Sequence, residues 1–370
     1  MTGMFETLLV RTGTATCHIT KPTVNGAKIS EYFRGAEILE SIRSKPAREI
    51  AKNKEPKEVT SVLLLAPLAR HELTGTVEVK FYETLGLTLI NKMEIEEAGL
   101  TLHYVAYDGP GAPCTGRHWT DRSGVIELTY SHGSENEPNF SLANGNTEPH
   151  LGFGHVVSLV DNLEGACRKF EDAGLTIDEG PSKALVFMTD PDGYKIGISE
   201  PGKGNAQQDA TDPASYRMSH TMLRIKDPHR SLNFYHEVLG MSLLRTVEHD
   251  QAGLTLYYLG YTGATPSMTA EATSLTADSE GLVELMWIHG TENREGRVYH
   301  DGNSDPLGFG HLCIGVDDID AACERFEKLN KSWEKRLNGT SMNDMAFMLD
   351  PDGYWIEILQ NEAIKPRAHW

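Results

Sequence analysis

An internal repeat constrains the fold of this 370-residue chain more than any other feature of its sequence. The phrase Leu-Gly-Phe-Gly-His ends at His155 and again at His311. The phrase Asp-Pro-Asp-Gly-Tyr ends at Tyr194 and again at Tyr354. Matching phrases lie roughly 155 to 160 residues apart, which is the size of one domain. The sequence therefore predicts two related halves.

A second, fainter repeat lies within the C-terminal half. Residues 220–227 and 311–318 each begin with His, carry apolar residues three and five positions later, and end in Asp. Each stretch precedes a segment with helical spacing of apolar residues, at 231–239 and 319–329. Each half therefore divides into two modules, and the whole chain contains four.

A carboxylate stands inside an apolar strand near the end of the chain. A Pro-Asp-Gly turn leads into the strand that carries Glu357, and His311 begins another apolar strand. A buried carboxylate is costly unless a cation, solvent or a metal ion compensates it. A His at the head of one strand and a Glu inside another suit zinc or a similar divalent ion.

Composition excludes several classes of partner. The formal net charge of -19 argues against nucleic acid and against anionic membrane surfaces. Five widely spaced cysteines without a Cys-x-x-Cys motif argue against a disulfide framework and favour a reducing compartment. The sequence contains no apolar run of about eighteen residues and no signal-peptide core, so we expect a cytoplasmic protein.

The repeat sets the expected domain boundaries. Residues 1–58 lie outside it and form an N-terminal extension, and residues 59–200 form a first, divergent domain. Residues 201–216 are rich in Pro, Gly, Gln and Asp, a composition typical of a linker. Residues 217–362 form the second domain.

These phrases resemble glyoxalase I (lactoylglutathione lyase), in the tandem two-domain form found in fungi and some protists. The resemblance is most specific in the second half, at residues 220–224, 234–235, 308–311 and 351–357, and weaker in the first. The family belongs to the vicinal oxygen chelate superfamily. The resemblance implies an α+β fold, in which four βαβββ modules pair into two tandem glyoxalase-like domains.

The resemblance also implies two metal sites, each built from one module of each half. The first site would combine Glu127, His311 and Glu357 with an unassigned ligand from the first strand. The second site would combine His155, His220 and Glu284, and its fourth position falls on Gly197. In the family this fourth residue is the base that moves the proton. We therefore expect Glu357, together with Glu127, to carry the chemistry.

The first-strand ligand of the first site is ambiguous. His220 precedes Phe234 by fourteen residues, but the residue fourteen before Phe81 is Pro67, which cannot bind a metal. His71 would serve only if the strand and turn were four residues shorter. The alternative is that His71 is a surface loop histidine.

Substrate contacts follow the family less closely. The resemblance assigns glutathione contacts to Arg224 and to Lys335 or its neighbour Arg336. Apolar or small residues replace two further polar contacts of the family, at Ser131, Ile288, Leu151 and Leu307. Glutathione recognition therefore differs from the family pattern, because unpaired polar groups discriminate strongly between ligands.

Three functions remain open at this stage. The first is a monomeric, cytoplasmic lyase that uses Zn2+ (or Ni2+ or Fe2+) to isomerise the methylglyoxal–glutathione hemithioacetal, a small-molecule substrate, to S-lactoylglutathione. The second is a divergent relative, an isomerase or Fe(II) dioxygenase-like enzyme of fungal secondary metabolism that acts on a substrate without glutathione. The third is a protein that binds a small molecule without turnover.

Overall fold

The fold is described by a computed structural model. It covers residues 61–69, 76–136, 141–182, 184–201, 210–261, 267–268, 280–329, 331, 333–336 and 345–361. The predicted extension at 1–58, most of the predicted linker and His71 lie outside these residues. All the described residues belong to a single structural unit.

Four modules repeat the order strand, helix, three strands. The first contains β1 (Ser61–Ala69), α1 (Thr76–Thr84), β2 (Thr88–Ile95), β3 (Leu100–Ala106) and β4 (Val125–Ser131). The second contains β5 (Phe153–Leu159), α2 (Leu163–Asp172), β6 (Asp178–Ser182), β7 (Leu185–Thr189) and β8 (Lys195–Ser199).

The second half repeats this order. The third module contains β9 (Arg217–Ile225), α3 (Pro228–Asn233), β10 (Ser242–His249), β11 (Leu254–Gly260) and β12 (Leu282–Ile288), and a π-helical turn (Phe234–Val238) continues α3. The fourth contains β13 (His311–Val316), α4 (Ile319–Lys328), β14 (Trp333–Arg336), β15 (Met345–Leu349) and β16 (Trp355–Gln360). The predicted α+β fold with four βαβββ modules is confirmed.

Local sequence explains where the helices begin and which side they bury. The side chain of Asn162 accepts a hydrogen bond from an amide in the first turn of α2, and Asp318 does the same for α4. In each helix the residues on one face are buried, and in α4 they include Ile319, Ala322 and Phe326. This spacing is that of an amphipathic helix lying against a sheet.

The modules pair across the two halves of the chain. The first sheet has the order β14-β15-β16-β13-β1-β4-β3-β2, and so joins the fourth module to the first. The second sheet has the order β10-β11-β12-β9-β5-β8-β7-β6, and joins the third module to the second. The central contacts, β1 with β13 and β5 with β9, are antiparallel. Each sheet therefore brings side chains from both halves onto one face.

The repeated Asp-Pro-Asp-Gly turns join neighbouring modules within each half. The hydroxyl of Tyr82 on α1 donates to Asp190 at 3.0 Å, and that of Tyr235 donates to Asp350 at 3.1 Å. The other oxygen of Asp350 accepts backbone amides of the turn, including that of Gly353, whose φ of 93° favours glycine. The sequence Phe-Tyr, which occurs at residues 81–82 and again at 234–235, and the repeated Asp-Pro-Asp-Gly phrase thus have a structural role.

Candidate metal centres and active site

The first sheet brings together the three residues predicted for the first site. Glu127 lies on β4, His311 begins β13 and Glu357 lies on β16. The Nε2 atom of His311 lies 2.9 Å from Oε2 of Glu357. Both carboxylates are nearly buried, with each residue 7% exposed. His311 and Glu357 are thus in contact where water has little access, whereas the ligand atoms of all three residues do not lie within 4.8 Å of one another.

Burial dominates the electrostatics of the first site. It raises the pKa of Glu127 to about 7, and the negative charge of Glu357 adds to this effect while His311 opposes it. Tyr104 on β3 hydrogen-bonds to Glu127, and the Thr129 hydroxyl donates to it at 3.2 Å. Two buried carboxylates that repel each other electrostatically fit a cation, which compensates this repulsion.

The second sheet brings together His155, His220 and Glu284. Their potential ligand atoms all lie within 4.8 Å of one another, and in the described parts of the chain this is the one group of three that does so. The Nε2 atom of His220 lies 2.9 Å from Oε2 of Glu284. Burial lowers the pKa of His155 to about 4, so its imidazole is neutral at pH 7 and has a free lone pair. This donor set fits a divalent ion.

Strand register shows that the second site has no carboxylate at its fourth position. Glu357 is paired with Cys313, and Gly197 is paired with Val157 in the equivalent position of the second sheet. A Cβ atom on Gly197 would lie 2.9 Å from Cγ2 of Val157 and 3.0 Å from Cδ1 of Leu185. Apolar side chains thus occupy the space beside Gly197, and no carboxylate is present there.

Register also identifies what replaces the first-strand ligand of the first site. His220 is paired with Val157 on β5, and Leu63 is paired with Cys313 in the equivalent position of the first sheet. A leucine has no atom that can bind a metal. The segment from Leu63 to Phe81 is four residues longer than that from His220 to Phe234, whereas His71 would have required it to be shorter.

The side chain of Arg224 is engaged within the protein. Its Nη1 atom donates to the carbonyls of Gly145, Gly152 and Phe153, at 2.9, 3.2 and 3.0 Å. Its Nη2 atom donates to Oδ1 of Asn146 at 3.0 Å. These bonds hold the loop that leads into β5. The predicted glutathione contact of Arg224 stays a prediction, and this residue has a structural role in addition.

Lys335 and Arg336 lie on β14, at the edge of the first sheet. Lys335 is paired with Phe347, whose ring lies 5.2 Å from that of His311. Lys335 and Phe347 are therefore cross-strand neighbours in the first sheet. Its contact with substrate stays a prediction.

Sequence reasoning missed several residues beside the two sites. Tyr104 is paired with Glu127 across β3 and β4, and Tyr258 is paired with Glu284 in the second sheet. The rings of Tyr104 and Trp119 are 4.3 Å apart. The alternation of β3 could have indicated that Tyr104 faces the site, but no motif marks Trp119.

Comparisons with protein families and with curated proteins agree on the family. The profile described as "Glyoxalase/Bleomycin resistance protein/Dioxygenase superfamily" matches residues 78–198 and 217–358. The lactoylglutathione lyase of Schizosaccharomyces pombe is 40% identical over 294 residues, which cover 77% of this chain and 92% of the relative. Glyoxalase I of Saccharomyces cerevisiae is 38% identical over 297 residues, covering 77% and 89%.

A solved structure supports the fold. The crystal structure of glyoxalase I from Zea mays has a TM-score of 0.58 and 22% identity, and the match covers 83% of this chain and 94% of that one. Among the described residues, no helix has the length and apolar character needed to cross a membrane. The paired modules, the converging His and Glu side chains and these relatives lead to one conclusion: the chain belongs to the lactoylglutathione lyase (glyoxalase I) family, within the glyoxalase superfamily.

Proposed function

We propose that this chain is a metal-dependent lactoylglutathione lyase that converts the hemithioacetal of methylglyoxal and glutathione to S-lactoylglutathione, and that it does so at the first site. One observation carries the choice of site. Glu357 occupies the base position of the first sheet, whereas the equivalent position of the second sheet is Gly197. A general base contributes about a hundred- to ten-thousand-fold to rate.

Glu127, His311 and Glu357 would hold the metal ion at the first site. Their chemistry fits, because two nearly buried carboxylates offset the charge of a divalent cation and an imidazole adds a neutral donor. The absent first-strand ligand at Leu63 is tolerated, since catalytic zinc commonly has three protein ligands. When bound, the ion supplies Lewis-acid polarisation of the substrate oxygens.

The protein's own residues move the proton. Glu357 removes the proton from C1 of the hemithioacetal, and Glu127 or Glu357 returns a proton to C2. The C1 hydroxyl loses its proton and the C2 oxygen gains one, so that the substrate neither gains nor loses protons overall. His311 lies 2.9 Å from Glu357 and orients its carboxylate, and Tyr104 orients Glu127. Because both carboxylates are nearly buried, the transferred proton is shielded from exchange with bulk water.

The second site would bind a metal ion without turnover. His155, His220 and Glu284 supply three convergent ligands, but no basic side chain stands at Gly197. We propose zinc as the ion in both sites. A bound ion here would also join the two halves of the chain, because His155 lies in the first half and His220 in the second.

We propose that glutathione contacts Lys335, and that Arg224 holds the loop that leads into β5. The resemblance assigns both residues to glutathione, but the guanidinium of Arg224 already donates to three carbonyls and one amide. The apolar or small residues at Ser131, Ile288, Leu151 and Leu307 leave fewer polar partners for the peptide. Affinity for glutathione should accordingly rest on fewer charged contacts.

The proposed setting is a monomer in the cytoplasm that removes methylglyoxal. Each site takes residues from both halves of one chain, so no second copy is required to complete it. Light scattering should give the mass of one chain, 40.9 kDa, and a mass near twice that value would contradict this arrangement.

One observation favours a second function. His155, His220 and Glu284 form a two-histidine, one-carboxylate set, which also suits non-haem Fe(II) chemistry or an isomerase acting on a substrate without glutathione. In that case the second site, and not the first, would carry the chemistry.

Metal analysis followed by an isomerase assay tests the proposal. The protein purified without chelator should contain between one and two divalent ions, and should convert the methylglyoxal–glutathione hemithioacetal. Conversion should be lost after chelation and restored by zinc. Absence of bound metal together with absence of stabilisation by added zinc would refute the metal-dependent function. Iron without any isomerase activity would support the second function.

A further inference from the structure

Cys313 is a buried thiol beside the proposed base. It lies on β13 and is the register partner of Glu357 on β16. Directly paired residues of neighbouring strands point to the same face of a sheet, so the thiol and the carboxylate lie side by side. Cys313 is 0% exposed, so it does not contact the substrate. Any effect of this thiol on the reaction has to pass through a neighbouring side chain.

The neighbour that the thiol engages is Glu357. The two side chains are hydrogen-bonded, and the sulfur is the donor, because a carboxylate only accepts. In ordinary surroundings a cysteine at neutral pH is a thiol and carries the proton that such a bond requires. Val125 and Leu359, which share a buried cluster with Cys313, have no side-chain acceptor. The thiol is therefore directed to the base.

The second sheet has neither the base nor the thiol. Its corresponding pair is Gly197 and Val157, and a Cβ atom on Gly197 would lie 2.9 Å from Cγ2 of Val157. Valine has two γ carbons and cysteine has a single γ atom, so cysteine leaves more room for a longer side chain on the paired strand. The thiol is present where the base is present and absent where the base is absent. This pairing favours a role that is tied to Glu357.

His311 also hydrogen-bonds to Glu357, but it has a second task. Its Nε2 atom lies 2.9 Å from Oε2 of Glu357. A histidine nitrogen that binds a metal ion carries no proton and cannot donate a hydrogen bond. If Nε2 binds the ion, the bond from His311 to the base is lost, whereas the bond from the thiol remains available. Cys313 is thus suited to hold the base in the metal-loaded protein.

We infer that Cys313 is a positioning residue, whose thiol holds the carboxylate of Glu357 in the orientation that takes the proton from C1 of the substrate. This inference rests on the proposed function, in which Glu357 is the base. A general base has to lie within hydrogen-bond reach of the proton that it removes, so a misplaced carboxylate slows the chemical step. Loss of the thiol should therefore lower kcat and leave KM nearly unchanged.

Cys313→Ala removes the donor without adding atoms. Its kcat on the methylglyoxal–glutathione hemithioacetal should fall about fivefold to tenfold, the size expected for one hydrogen bond, with KM within about twofold of wild type. Cys313→Ser supplies a hydroxyl donor and should restore kcat to within about twofold of wild type. A side chain needed only for packing would give the opposite order, because a serine hydroxyl costs more to bury in an apolar cluster than a methyl group.

Two further variants test whether the effect passes through the base. In the Glu357→Gln background, Cys313→Ala should cause no further loss of kcat, because a positioning residue has no effect once the base is absent. Cys323→Ala is a matched control, since it removes another buried thiol of the same module, on α4, and it should leave kcat unchanged.

Metal binding distinguishes a positioning thiol from a metal ligand. The zinc content of Cys313→Ala should equal that of wild type. Wild type loaded with cobalt should show no sulfur-to-cobalt charge-transfer absorption, since the ligand set of the second site contains no thiol either. A charge-transfer band that disappears in Cys313→Ala would show that the thiolate binds the ion, and would overturn the inference. This spectrum requires only wild type to contradict the inference, even if Cys313→Ala folds poorly.

The remaining contrary outcomes separate the inference from the proposed function. An unchanged kcat in Cys313→Ala would overturn the inference and leave the lyase function intact. The same holds if Cys313→Ser is no more active than Cys313→Ala, or if Cys313→Ala lowers kcat further in the Glu357→Gln background. Failure of wild type to convert the hemithioacetal would overturn the proposed function together with the inference.

Discussion

Gly197→Ala tests whether the second site has room for the missing side chain. The Cβ atom would lie 2.9 Å from Cγ2 of Val157, 3.0 Å from Cδ1 of Leu185 and 3.2 Å from Cε1 of Phe187. The backbone at Gly197 is outside the left-handed region, so alanine can adopt it and should by itself gain about 0.4–1 kcal/mol. Overpacking costs about 1–3 kcal/mol, which is larger. We expect a net destabilisation of about 1–2 kcal/mol.

Chemical denaturation gives the free energy of unfolding of four proteins, which together make a double-mutant cycle: wild type, Gly197→Ala, Val157→Ala and the double variant. Val157→Ala removes the closest contact of the added Cβ atom. Gly197→Ala should therefore reduce the free energy of unfolding by about 1 kcal/mol less in the Val157→Ala background than in wild type. A stabilising Gly197→Ala, or no coupling with Val157→Ala, would refute the claim that apolar side chains fill this space. A larger Gly197→Glu substitution should then also be tolerated, and the second site could regain a base.

Two further predictions concern the second site and a buried acid that belongs to neither ligand set. His155→Ala should lower the bound zinc by one equivalent and remove the thermal stabilisation that this ion gives, and unchanged zinc content would contradict the ligand assignment. Glu280 has its pKa raised to about 7 by burial, with Arg217 and Arg122 opposing the rise. Because the folded-state pKa is raised, wild type should lose up to about 3 kcal/mol as the pH rises through 7, and Glu280→Gln should not show that loss. Denaturation of both proteins at pH 5 and pH 8.5 measures the difference, and parallel pH profiles would contradict it.

The repeated phrases predicted most of the fold because each has a fixed structural task. The Tyr of Phe-Tyr donates to the Asp of Asp-Pro-Asp-Gly, as in the pair of Tyr82 and Asp190. The His of Gly-Phe-Gly-His lies at or near the start of a central strand, where residues from both halves meet. Residues that make the same contact in both halves have nearly the same spacing in both copies of the repeat. Comparison of the two copies therefore identifies them.

The sequence could not locate the first-strand position of the first site. Counting back from Phe81 assumed a connection equal to that before Phe234, and four additional residues shift the equivalent position to Leu63. Only strand pairing gives this register. Similarly, the engagement of Arg224 with the loop before β5 depends on contacts between residues over 70 positions apart. Such contacts leave no local pattern in a single sequence.

We propose that Glu357 is the base and that the chemistry runs on the first site. The direct measurement is kcat/KM of Glu357→Gln and Glu284→Gln on the methylglyoxal–glutathione hemithioacetal, with zinc content and circular dichroism of both variants. Glu357→Gln keeps the shape of the side chain and an oxygen ligand but removes its basicity. Its turnover should fall by at least about a hundredfold with the fold intact, while Glu284→Gln retains most of the activity. An inactive Glu284→Gln beside a nearly normal Glu357→Gln would contradict the account and place the chemistry on His155, His220 and Glu284.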